Sequence, residues 1–287
     1  MFTTNKEANS EGRDSQLVDL AAKAIYVDNF FKAESLLLKV IQNTPSNYLY
    51  QYEEGNKLIV KFWNQQEYNQ YFNWQKKQGI NQTIVWLKSA YPRAFYFLGF
   101  LKIKIKEYEQ ALSFLDKGLE LEPTNPNFLI EKAKALVGLK LYEQALAIYD
   151  SINQVGPYVS KYDIAKALQQ RASLLLEMGD IEEAEATYHQ SLDWDAHNEM
   201  TISKLKQIQE SRESSLHTVD RGLTPTLTNL EGNQLYQSFL ERNYLKEAQN
   251  LQSPGFAHLD KMKNKGNFLG ILSLCLLSGI VIIALFS

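Results

Sequence analysis

The chain has 287 residues, room for one large or two modest domains, and a formal net charge of −3. This mildly acidic balance, with no block of Lys or Arg, excludes a nucleic-acid surface, which needs concentrated positive charge. One cysteine, Cys275, excludes an internal disulfide framework or cysteine metal site, and four scattered histidines make no zinc-type pair, so no metal or other cofactor is expected.

Residues 1–13 are polar and charged and are expected to be disordered. Residues 14–47 then carry Leu17, Ala21, Ala24, Phe30, Ala33, Leu37, Val40 and Pro45 in a frame that returns downstream. Residues 48–91 do not fit that frame. Tyr48, Tyr50 and Tyr52 alternate with other residues, Glu54-Gly55-Asn56 marks a turn, and Leu58 to Trp63 continues as strand, which together predict a β-hairpin. Asn64 with Glu67 three residues on is a capping-box pattern that opens a helix over 65–77, with Tyr68, Tyr71, Phe72 and Gln75 on one face. Gly79 stops it, and Thr83 to Leu87 reads as a third strand. Trp63, Trp74 and Trp86 fall in this β-β-α-β insert; they suit either a partner-binding surface or the core of a small sheet that needs large side chains.

From residue 92 the frame is plain. Ala111 and Ala145 lie 34 residues apart in matching strings, KEYEQALSFLDKGLELEP and KLYEQALAIYDSINQVGP. Phe95, Gly99, Tyr108, Ala111, Leu115 and Pro123 recur as Leu129, Ala133, Tyr142, Ala145, Tyr149 and Pro157, and again as Leu168, Ala172, Ile181, Ala184 and Tyr188 with a degenerate end. Small residues at two positions let paired helices approach, and larger ones fill the seam. This pattern resembles the tetratricopeptide repeat (TPR) family, and the resemblance implies two antiparallel helices per unit, stacked into a superhelix. Four units are expected, one over 14–47 and three over 92–198.

Residues 199–214, with Ile202, Leu205 and Ile208 on an otherwise polar helix, are expected to cap the stack. Residues 215–266 read as a linker containing a helix-like stretch, Gly232 to Leu251, that either docks on protein or forms a degenerate fifth repeat. The run FLGILSLCLLSGIVIIALF, Phe268 to Phe286, has no charge; its nineteen or so residues would make a helix of roughly 28 Å, and a transmembrane anchor is expected over 267–286. Lys261, Lys263 and Lys265 flank it on one side only, which predicts a cytoplasmic body. Cys275 and Gly279 form a small-xxx-small pair suited to a homo-oligomer through this helix.

The expected fold class is therefore all-α dominated: a TPR superhelix with a small α+β insert after the first repeat and one C-terminal transmembrane helix. No nucleotide loop, dinucleotide fingerprint or zinc-protease motif is present, and no enzyme is expected. The acidic group Asp180, Glu182, Glu183 and Glu185 sits at a helix start, where acids complement the helix dipole.

The family's groove positions, carried over residue by residue, imply a protein-binding wall made of Arg93, Tyr96, Phe100 and Ile103, then Asn127, Ile130, Lys134 and Val137, then Lys166, Gln169, Ser173 and Leu176. The carboxylate clamp of chaperone-binding members is missing there, and the insert or the linker is a rival occupant. The expected function is a membrane-anchored adaptor binding a protein or peptide partner at the cytoplasmic face of the membrane, with a bacterial inner membrane and its lipid bilayer as the setting. The alternative is an assembly or export chaperone for membrane or envelope proteins.

Overall fold

The computed structural model describes residues 4–219, with side chains from 11 to 213. Nine helices in these residues make four antiparallel hairpins and a cap: α1 (Thr4–Tyr26) with α2 (Phe30–Ile41), α4 (Tyr91–Lys104) with α5 (Tyr108–Leu121), α6 (Pro126–Gly138) with α7 (Tyr142–Ser151), α8 (Lys161–Met178) with α9 (Ile181–Trp194), and α10 (Glu199–Val219). The repeat frame explains the pairing. Its small positions are fully buried at Ala21, Ala33, Ala111, Ala133, Ala145, Ala172 and Ala184, and the larger Leu37, Leu115, Tyr149 and Tyr188 close the seams. Successive hairpins share cores, as where Ile130 of α6 joins Ala167 of α8.

Each hairpin turn repeats one backbone device. Asp28, Lys106, Lys140 and Gly179 have φ of 55°, 63°, 61° and 88°. The next residue in each turn donates its N–H to the carbonyl five residues back: Asn29 to Ala24 at 2.8 Å, Glu107 to Lys102 at 2.8 Å, Leu141 to Leu136 at 2.9 Å and Asp180 to Leu175 at 2.9 Å. Only the last turn uses glycine for this left-handed place, where a Cβ is disfavoured. Nothing lies within 4 Å of a Cβ built on Gly179, so Gly179→Ala is expected to cost about 1 kcal/mol through backbone strain alone, and Lys140→Gly to stabilise by about 0.5–1 kcal/mol. Urea unfolding of the two variants checks both signs.

Between α2 and α4 stands the insert: β1 (Gln51–Glu54), β2 (Lys57–Phe62), α3 (Gln65–Lys77) and β3 (Thr83–Lys88). β1 runs antiparallel to β2, and β2 runs parallel to β3 across the α3 crossover. Phe62, Val60 and Tyr71 are its core, with Tyr68 and Trp86 packed against them. The Asn64 side chain accepts from the Glu67 N–H at 3.0 Å, as the capping pattern predicts, while the Glu67 carboxyl accepts from Trp63 N–H at 2.8 Å. At the far end α10 lays Ile208 on Ala172 and Tyr188 and leaves Ile202 exposed, as a cap does.

Three expectations change. Residues 4–13 are helical, because Glu11 is buried in an ion pair with Lys61 at 2.8 Å and accepts from Ala90 N–H at 3.2 Å. The repeat's proline, expected to end each second helix because it cannot continue the hydrogen-bond ladder, does not do so in the third hairpin, where α7 ends at Ser151, well before Pro157. The third is the membrane.

No helix among the described residues is long and apolar enough to cross one. The long helices carry charges along their length, α1 at Asp14, Asp19 and Lys23, α8 at Lys161, Asp163, Lys166, Arg171 and Glu177, and α10 at Lys204, Lys206 and Glu210, which hydrocarbon does not tolerate. The predicted span over 267–286, its Lys261, Lys263 and Lys265 flank and the Gly232 to Leu251 stretch lie outside the described residues. The fold class is corrected to an all-α superhelix of TPR-like hairpins with a small β-containing insert. The tail-anchored placement, the bilayer as partner, the transmembrane homo-oligomer and the inner-membrane location go with the anchor.

Candidate functional site on the inner face of the stack

The groove predicted along α4, α6 and α8 is largely closed. Arg93, Tyr96, Phe100, Ile130 and Gln169 are buried, and Ile103, Asn127, Lys134, Val137, Lys166, Ser173 and Leu176 are half-buried. The cations are engaged at home. The Arg93 guanidinium donates to Asp19 at 2.6 Å and to Ser89 O at 3.3 Å, and Lys134 meets buried Glu131 at 2.7 Å. Ser173 Oγ donates to Gln169 O at 2.9 Å and lies 2.9 Å from the Tyr188 hydroxyl. Ile103, Val137 and Leu176 pack against three different core clusters.

The insert covers one of these positions, Tyr96. Trp63, between β2 and α3, sets its ring 5.2 Å from Tyr96 and 5.5 Å from Phe128, and those two rings meet at 5.9 Å. Its indole N–H donates to Glu122 Oε2 at 2.9 Å, at the end of α5. Asn125 Nδ2 donates to the same oxygen at 2.8 Å, and Ser89 Oγ to Oε1 at 3.4 Å. Further along, Gln70 of α3 donates to Gly156 O at 2.8 Å. Tyr158 wedges between Tyr50 and Tyr71 at 5.7 and 5.3 Å, and its hydroxyl bonds Gln51. Trp86 stays inside the insert, donating to Phe62 O at 3.0 Å, and Trp74 stands 6.0 Å from Tyr71. Of the three tryptophans, Trp63 joins insert to stack.

Two carboxyls at this seam are unusual. Burial, then the nearby charge of Glu122, pushes Glu67 up to about 8, although the Trp63 N–H bond pulls it down. Burial likewise pushes Glu122 up to about 7 against the hydrogen bonds from Asn125, Trp63 and Ser89. Both border a cavity of about 20 Å³ with Tyr50, Lys61, Asn125 and Tyr158, near the size of one water. Capping spacing marks Glu67 in the sequence, and in the fold it is half-buried at the seam. Glu122 carries no local signal at all. Asp180, Glu183 and Glu185 act structurally: Asp180 caps α9, Glu183 pairs with Arg171 at 2.6 Å and Glu185 with Arg212 at 2.5 Å. No group of side chains among the described residues could hold a metal ion.

Antiparallel hairpins stacked on shared cores define a helical repeat fold. Comparison with known proteins agrees. Residues 103–168 and 165–198 match two family models described as tetratricopeptide repeat. The chain is 26% identical over 121 residues to heat shock protein STI1 of Saccharomyces cerevisiae, covering 42% of this chain and 20% of that protein. It is 30% identical over 96 residues to the TPR repeat-containing protein MJ0263 of Methanocaldococcus jannaschii, covering 33% of this chain and 30% of that one. The chain thus spans between a fifth and a third of the length of these relatives.

Among solved structures, a MamA double mutant aligns over 83% of this chain and 98% of its own, with 13% identity and a TM-score of 0.43. The first TPR of Spaghetti (RPAP3), bound to an HSP90 peptide, aligns over 42% and 93%, with 21% identity and a TM-score of 0.36. What the chain resembles in these comparisons are tetratricopeptide repeat proteins.

Proposed function

We propose that this protein holds a protein or peptide partner on its helical stack, in the manner of a chaperone-type scaffold that needs no membrane anchor. The observation that carries the reading is the inner wall of α6 and α8. Asn127, Val137, Lys166, Ser173 and Leu176, groove positions by the family resemblance, are half-buried and so keep part of their surface accessible. Similarity to a heat shock protein supports the chaperone side over a fixed adaptor. The partner segment would be apolar with neutral polar groups. Glu67, Glu122 and Glu11 line the covered half, and Arg93 is already bound to Asp19, so an acidic terminus meets no ready clamp there.

Photo-crosslinking of the full chain in its own cells tests this. A crosslinker replacing Val137, Lys166 or Leu176 is expected to capture a common set of partners, and one replacing exposed Lys117 on α5 to miss them. Equal capture from Lys117 sinks the assignment of the inner wall. Capture that turns over with client supply favours a chaperone, and a fixed stoichiometric partner favours an adaptor.

A further inference from the structure

The seam between insert and stack is built around two carboxyls joined by one residue. Glu67 belongs to the insert, on α3, and Glu122 to the stack, at the end of α5. Trp63 binds both, its backbone N–H on Glu67 at 2.8 Å and its indole N–H on Glu122 at 2.9 Å. Both carboxyls border the same small cavity.

The charged groups around them leave little to neutralise a pair of anions. From α1 comes Glu11, held by Lys61 of β2 at 2.8 Å; from α4 comes Arg93, held by Asp19 at 2.6 Å; from α8 comes Asp163, bonded to its own cap residue Ser160. The remaining titratable neighbours, Tyr48, Tyr50 and Tyr158, are all raised by burial and so stay neutral.

We propose that the insert is a pH-sensitive clasp on the inner face of the stack, closed while Glu67 and Glu122 are protonated and released when both ionise. Ionised, the two would share the border of one small cavity, with Glu122 buried and Glu67 half-buried, and opening returns both to water. The sign is fixed by linkage. A carboxyl raised above its value in water favours the closed form fully only below that ordinary value, near 4.5, and the advantage fades until pH passes the raised one, about 7 for Glu122 and about 8 for Glu67. With both groups acting, the closed-to-open ratio falls by about two to three powers of ten between pH 6 and pH 8.

Release would uncover Tyr96 and Phe128, the wall now under Trp63. That consequence rests on the proposed function, whereas opening itself is read without any partner.

Amide hydrogen exchange of the full chain, followed by mass spectrometry and corrected for intrinsic exchange, tests the clasp. Peptides from residues 51–88 are expected to lose protection by about a hundredfold or more between pH 6 and pH 8, while peptides from α8 and α9 hold theirs. The double variant Glu67→Gln/Glu122→Gln keeps the shape, cannot ionise and is expected to stay protected across the range. Equal wild-type protection at both pH values overturns the proposal, as does a wild-type pH profile in the double variant. Should the double variant fail to fold, Glu122→Gln alone is expected to remove about tenfold of the pH effect, and an unchanged profile in it counts against the clasp equally.

Discussion

Trp63→Ala is expected to lower stability by about 3 kcal/mol and to free the insert before the stack melts. Two losses add. The ring is half-buried against Tyr96 and Phe128, so its removal forfeits apolar burial and opens a cavity between two layers that cannot readily close over it. The indole N–H also leaves, and Glu122, which is buried, keeps only Asn125 and Ser89 as side-chain donors. Trp63→Phe separates the terms, since it restores most of the ring but not the donor; about 1–2 kcal/mol is expected for it. In a domain of this size the alanine change corresponds to a fall of about 6–12 °C in Tm. Thermal unfolding with peptide-level hydrogen exchange measures both. A melt within 1 °C of wild type would show that Trp63 only rests on the stack.

That residue also marks the boundary between what the chain discloses on reading and what it does not. The 34-residue frame is legible because helix pairing is local: Ala111 and Ala145 must be small wherever two helices touch, whatever lies outside. The insert is legible for a similar reason, since Gly55 in the turn and Asn64 at the cap act within a few residues. The groove is another matter. Tyr96, Phe100 and Ile130 stand at positions that the resemblance places on the groove; all three are buried, Tyr96 against Trp63, 33 residues away in sequence, and Ile130 in a core shared with α8.

Nothing in the spacing of aromatic residues says whether they meet solvent or each other. The same limit hid Glu11, whose polar neighbours read as a loose terminus until Lys61 supplied a partner. It hid the left-handed turns too: Asp28, Lys106 and Lys140 carry no glycine signal, and their φ is imposed by the hairpin closure on either side. Length and lack of charge, which suggested a membrane span, are weaker still, because they describe a segment's solubility and not where it goes.

Gly118→Ala is expected to cost about 2–3 kcal/mol although it adds a single methyl group. Glycine is needed at this place for space and not for its backbone, since its φ is that of an ordinary helix residue. A Cβ there would fall inside the ring of Phe128, which is fully buried. What decides the size of the effect is whether the neighbour can yield. At Gly99 the atoms in the way are Cγ and the methyls of Leu115, an aliphatic side chain smaller than a ring, so Gly99→Ala should cost less. Phe128 has no such freedom: Trp63 stands on one side at 5.5 Å and Tyr96 on another at 5.9 Å, so a shift of its ring passes directly into the seam that holds the insert.

The variant should therefore disturb two places at once, loosening α5 from α6 and lowering hydrogen-exchange protection in residues 51–88. Adding Phe128→Leu makes room, and the double variant is expected to be at least 1 kcal/mol more stable than the sum of the two single losses. Strict additivity would mean that the methyl group is accommodated by backbone movement and that Phe128 does not transmit the strain to Trp63.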